Sequence, residues 1–352
     1  MNNQNLTRLA LVGSALLAVG LLLARPVLGQ ERIVLDGSRV AVYNLAGQVE
    51  VVRGTGSDVI VEVTRGGTDG DQLEIEVGQV RGREALRVVY PSDRVVYAGM
   101  GRGSNTSIRV QRDGTFFNGR GGDQVRVSGR GSGLEAHADL RISMPEGTDL
   151  AVYLAVGQGS ARDLRGNLIM HTGSGSVDVS RIVGDVELDT GSGSIDASDI
   201  EGDVSADTGS GSITLAHITG RRLNADTGSG HVEGTNVSVD ELVVDTGSGH
   251  IRIDGLTATD IMCDTGSGSV SLELLSDVRS LDVDTGSGGV TLTVPESFGA
   301  EVEFDTGSGG IDIDLPARIA EAKRDYFRGT IGDGQGRVVV DTGSGGIRIR
   351  HP

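Results

Sequence analysis

The chain has 352 residues, 57 of them Gly and one of them Cys, and a formal charge of -18 at pH 7. A single Cys excludes an intramolecular disulfide framework, so packing must supply the stability. The acidic balance argues against nucleic acid as a partner, and with no Trp and aromatics at 3% the sequence offers no aromatic platform for sugars or bases.

In chain order, residues 1–29 read as a secretory signal. Arg8 supplies the positive end, Leu9 to Ala24 the apolar run and Val27-Leu28-Gly29 a small-residue cleavage site, which puts the mature start at Gln30. The run is shorter than the ~20 residues a membrane helix needs, and no second apolar span follows. The expectation is an exported mature chain with no transmembrane segment, in the periplasm, at the cell surface or outside the cell.

Residues 30–90 alternate through Val40, Val42, Val49, Val51, Val59, Val61 and Val63, with turns at Ala46-Gly47, Gly54-Thr55-Gly56 and Gly66-Gly67. They read as four or five strands forming irregular first coils, because terminal repeats are atypical caps. Residues 91–133 break the pattern. They are rich in Gly and Ser and set seven Arg (Arg94, Arg102, Arg109, Arg112, Arg120, Arg126, Arg130) against Asp93, Asp113 and Asp123. Such a segment reads as a flexible or hairpin-forming excursion, or as an arm that binds anionic polymer or the chain's own acidic face.

Alternation resumes at residue 134 and becomes a repeat. Asp-Thr-Gly-Ser-Gly begins at Asp189, Asp207, Asp226, Asp245, Asp264, Asp284, Asp305 and Asp341, and His171 heads a ninth copy with His for Asp. Successive starts lie 18, 18, 19, 19, 19, 20, 21 and 36 residues apart, and Ala155 to Ser160 is a degenerate tenth copy. Two places after each turn every residue is Val or Ile, as at Val177, Ile195, Ile213 and Ile251; apolar residues also alternate before it, as at Leu242 and Val244. A further inward column runs through Ile182, Ile200, Ile218, Val237, Leu256 and Leu275.

Period-2 alternation on both sides of a steady turn predicts an all-β solenoid, a β-helix or β-roll of 18–21-residue coils with two or three short faces. Nine coils at ~4.8 Å make a rod on the order of 40 Å long. The two Gly are expected to supply positive φ. Asp should point outward and accept turn N–H groups, and Thr inward with its hydroxyl available along the stack. The last interval holds an insertion at 316–336, with Ala317 to Lys323 as a short helix and Gly332 to Gly336 as a loop, in an otherwise continuing rod.

Chemistry is harder to find. Asp-Thr-Gly-Ser resembles the aspartic-protease turn, but that reaction needs two such turns facing each other to share a proton, and solenoid copies lie side by side. No catalytic set, phosphate loop or cofactor motif is present. Calcium is a possible ion, though it wants 6–8 oxygens and each turn offers one carboxylate. His231 and His250 share a motif position in adjacent coils beside Asp226 and Asp245, a candidate transition-metal set whose alternative is a tolerant exposed site. Cys263 falls in an inward column and reads as a small buried hydrophobe.

The stretch Val40-Ala41-Val42-Tyr43-Asn44-Leu45-Ala46-Gly47-Gln48-Val49-Glu50-Val51, followed by repeated Thr-Gly-Ser-Gly-x-[Ile/Val]-x-[Ile/Leu], resembles the bacterial putative-adhesin family of unknown function. The resemblance covers most of the mature chain and implies an exported β-solenoid with a surface or envelope role. It carries over no functional residues. The Arg-rich segment and the uniform Asp-Thr-Gly-Ser-Gly turns depart from the family pattern. The expected function is a non-enzymatic, adhesin-like β-solenoid with a structural or binding role at the cell envelope, its partner an envelope protein or an anionic polysaccharide. The alternative is a polysaccharide-binding or polysaccharide-active β-helix.

Overall fold

The computed structural model describes residues 30–117 and 121–352; the expected signal segment 1–29 and Arg120 lie outside the described residues. The described chain is a β-solenoid. Its strands hydrogen-bond into one 26-stranded sheet that wraps a shared core, and a separate four-stranded sheet is formed by the 91–133 region with Leu134–Glu135.

One coil shows how the sequence makes the rod. A leading strand, Val186–Thr190, buries Val186, Leu188 and Thr190; the Gly-Ser-Gly turn follows; a trailing strand, Ile195–Glu201, buries Ile195, Ala197 and Ile200. Each fully buried Ile or Leu contributes about 1.5–3 kcal/mol relative to exposure. The inward phase slips by one residue before Ile200 because Asp199 is in the left-handed region at φ 55. Asp163, Arg181, His217 and Asn236 repeat this corner at φ 55 to 59, and Gly255 takes it at φ 74.

The corner explains a correction. The strand Val270–Leu274 has no left-handed residue, so plain alternation carries Leu274 inward, where it pairs with Leu256 across a register shift. Leu275, which the column assigned to the core, is 58% exposed.

The turn glycines also act differently from expectation. Of the Gly in the nine turn copies only Gly175 has positive φ. A Cβ on Gly193, Gly211, Gly230, Gly249 or Gly268 would instead collide with the carbonyl oxygen of the matching Gly one coil earlier. These positions are Gly because the coils approach too closely for a side chain. The buried Thr secures the same junction. Thr246 Oγ1 accepts the Gly249 N–H at 3.0 Å and donates to the Gly230 carbonyl of the preceding coil at 2.9 Å. The pattern recurs at Thr190, Thr208, Thr227, Thr265, Thr285, Thr306 and Thr342. The hydroxyl, not the Asp carboxylate, receives that turn N–H.

Both ends are closed by antiparallel pairs, which cover sheet edges that would otherwise be open. At the amino-terminal end Val59–Gly66 runs antiparallel to Gln30–Leu35 and to His137–Met144, and Glu74–Val80 pairs with Arg83–Val89. Arg39–Ala46 and Val49–Arg53 form a true coil, in parallel register with Thr148–Val156 and with Gly159–Ser174.

The other end breaks the expected order. Gly336–Thr342 pairs on one side with Ser280–Thr285 and on the other with Ala300–Thr306, and Ile347–Arg350 lies between Val290–Thr293 and Ile311–Asp314. The last coil in sequence is therefore inserted beneath the one before it. Ala317–Ala322, expected as a helix, is a strand pairing antiparallel with Tyr326–Ile331, which pairs with Ala300–Thr306. Its Ala and Glu favour helix locally, but the open sheet edge beside it supplies partners that an isolated six-residue helix would lack.

Candidate functional site

The sheet register sets out four features. The first is a ladder of carboxylates. Asp189, Asp207, Asp226, Asp245, Asp264, Asp284, Asp341 and Asp305 are successive lateral neighbours, Asp341 falling between Asp284 and Asp305 because its coil is inserted there. The buried Thr beside each Asp forces the carboxylate outward by alternation. Partial burial raises Asp207, Asp226, Asp245, Asp264 and Asp341 above the usual carboxylate range, and the charge of the neighbouring rung adds to it.

The second is the histidine pair. His231 and His250 stack with ring centroids 3.9 Å apart. His231 Nδ1 accepts the His250 backbone N–H at 3.2 Å, and His250 Nε2 faces Glu233 Oε1 at 3.2 Å. The carboxylate beside the pair is thus Glu233, on the trailing strand, whereas Asp226 and Asp245 belong to the ladder. Among the described residues no three His, Cys, Asp or Glu side chains come together as a metal-binding group. Cys263 is buried, and burial pushes its thiol up to about 12.

The third feature is an aromatic cluster. Scarce as they are, the aromatics converge. Tyr43 stacks on Tyr153 at 4.6 Å, Phe116 meets Tyr43 edge-on at 5.7 Å, and His171 meets Tyr153 edge-on at 5.5 Å. Tyr43, Tyr153 and His171 are lateral neighbours that continue the Asp ladder toward the amino-terminal end. Phe116 is buried and belongs to the continuous apolar core, so the cluster fastens the 91–133 region to the rod. Sequence distance hid it: these residues come from four separate segments.

The fourth feature is the 91–133 region itself. Its described residues form a small sheet. Arg94–Val96 lies between Leu134–Glu135 and Asp123–Ser128, and Asn105–Val110 forms the expected hairpin with Asp123–Ser128. Val95, Val125 and Val127 turn inward and join the core, which leaves Arg94 and Arg126 outward. Those two are direct cross-strand partners.

Their environment differs from that of the rod. Along much of the rod arginines meet carboxylates: Arg181 with Asp163, Arg221 with Asp203, Arg222 with Glu241, and both Arg141 and Arg162 with Glu50; exposed Arg165, Arg328, Arg337 and Arg350 make no salt bridge among the described residues. Arg94, Arg102, Arg109, Arg112, Arg126 and Arg130 are all exposed and make no salt bridge among the described residues. The spacing of charges in the sequence signalled a basic segment; only the fold shows that its own carboxylates do not neutralise it.

A family model described as Toastrack DUF4097 matches residues 58–350. Among solved structures, a putative cell adhesion protein from Clostridium sporogenes is similar at 11% identity and a TM-score of 0.20, over 92% of this chain and 99% of that one. A putative adhesin from Bacteroides fragilis is similar at 11% identity and a TM-score of 0.35, again over 92% and 99%. No curated protein matches the sequence. No helix among the described residues is long and apolar enough to cross a membrane.

Proposed function

Since the chain belongs to the Toastrack DUF4097 family, we infer that it is an exported, non-enzymatic, adhesin-like β-solenoid that binds at the cell envelope. The rod is the carrier and the small four-stranded sheet is the contact surface. The observation that carries this reading is the set of exposed arginines on that sheet, which make no salt bridge among the described residues. Many of the rod's arginines are engaged by carboxylates, as Arg181 is by Asp163 and Arg221 by Asp203. Export is supported by the apolar run from Leu9 to Ala24 behind Arg8.

Cell fractionation tests the reading. The chain should be found outside the cytoplasm, starting near Gln30, and retained on isolated envelopes. A cytoplasmic chain with an intact amino terminus would overturn it.

A further inference from the structure

Resting on the reading of the small sheet as a contact surface, we propose that its outward face is a binding site for an anionic polysaccharide, gripped by Arg94 and Arg126. These residues are paired across parallel strands, which sets their backbones ~4.8 Å apart. Like charges placed directly opposite on one sheet face destabilise it, and no carboxylate lies within salt-bridge distance of either among the described residues. Many rod arginines have an acid set beside them, as in Arg279 with Asp260 and Arg348 with Asp312; this pair has none within salt-bridge distance.

The surroundings favour a sugar polymer over another polyanion. Ser107 sits across from Arg126 on the neighbouring strand, and Gln124 lies across from Arg109. The same face therefore sets guanidinium forks beside neutral donors and acceptors, with one carboxylate, Glu135, at its edge opposite Val96. Guanidinium suits carboxylate or sulfate bidentately, while Ser and Gln side chains match ring hydroxyls. Two adjacent cations separated by about one strand spacing bridge successive charges on a flexible chain, and neutral groups beside them read the sugar between.

The face is also rigidly held. Val95, Val125 and Val127 anchor its reverse side in the core, and Phe116 locks the loop after Asn105–Val110 against Tyr43. Little ordering cost remains to be met on binding.

The test uses the purified full chain on immobilised polygalacturonate, with dextran and polyglutamate as comparison matrices. Retention is expected on polygalacturonate and should fall steeply between low and high NaCl, because exposed charge contacts are screened. Arg94→Gln/Arg126→Gln should weaken retention by roughly tenfold or more, and Arg94→Lys/Arg126→Lys should recover part of it. Arg222→Gln, on the rod, should leave it unchanged. Equal retention by the double Gln variant, or by dextran, would overturn the site; equal retention on polyglutamate would overturn its assignment to a polysaccharide. If the Gln variant does not fold, salt-insensitive retention of the parent chain would still sink the proposal. Because matrix and protein are both purified, failure here is distinct from failure of export or envelope retention.

Discussion

Thr246 sends its hydroxyl proton to the carbonyl of Gly230 in the coil below, over 2.9 Å, from a fully buried position. The same oxygen takes the Gly249 N–H of its own turn. One side chain thus satisfies a donor and an acceptor in two coils, and buried groups of this kind are costly to leave unpaired.

Thr246→Val keeps the shape and removes both bonds. It should destabilise the rod by about 2–6 kcal/mol, from two buried groups at about 1–3 kcal/mol each, whereas Thr246→Ser should retain most of the stability. Urea melts of the two variants check this. A lower midpoint for Thr246→Ser than for Thr246→Val would mean that packing of the methyl, not the hydroxyl, holds the junction.

Gly249→Ala should be more damaging still, since its Cβ would meet the Gly230 carbonyl oxygen, a backbone atom that cannot step aside. Gly310→Ala meets nothing within 4 Å and should be nearly neutral. A loss above ~3 kcal/mol at the first site against less than ~0.5 at the second is expected on the scale of overpacked and surface substitutions. Similar melting of the two variants would contradict the close-approach account.

Adjacent residues test the corner. Leu274→Asp places a charge in the core, while Leu275→Asp changes a side chain that is 58% exposed. Thermal melts should show a large loss for the first and little change for the second. The reverse order would restore the column read from the sequence.

The ladder makes stability depend on pH with a defined sign. Asp245 is raised above its ordinary value of 3.8 by partial burial and by Asp226. A carboxyl whose folded value is raised binds its proton more readily in the folded state. The repulsive cost is present in full above the folded value and disappears as pH falls through it toward 3.8. Asp113 and Asp163 are lowered and act in the opposite sense, so the variant rather than the parent curve isolates the effect. Asp245→Asn should be more stable than the parent at pH 7 by up to about 1 kcal/mol, since like charges one strand apart in water repel by roughly that amount. The gap should close with acid and with salt. A gap independent of pH would assign the gain to something other than charge.

The repeat made the architecture legible because each coil re-uses the same inward positions: Val or Ile after the turn, Leu or Val before it, Thr beneath it. What periodicity could not give was the cause of each choice. The glycines looked like φ > 0 residues, yet a carbonyl of the neighbouring coil occupies the space where Cβ would sit, and that neighbour is 18 or more residues away. Leu275 was misplaced because the corner depends on one left-handed residue that the following coil lacks. The candidate site was half visible. Composition marked Arg94 and Arg126, but their pairing across strands follows from sheet order alone, and neither makes a salt bridge among the described residues.

The inserted coil also governs when the rod can be finished. As a chain emerges from its amino-terminal end, coils can be laid down one upon another as far as Val290–Thr293. Ala300–Thr306 appears next, but the strand beneath it, Gly336–Thr342, has yet to be made. Stacking must pause with a vacant course, and the closing residues enter it last, like a keystone. A chain cut short after the Tyr326–Ile331 strand would hold every earlier coil yet leave that course empty, with unsatisfied backbone on both sides. Synthesis through Arg350 is thereby built into the fold as a condition for this sheet's completion, and copies truncated before it would advertise themselves by their open edges.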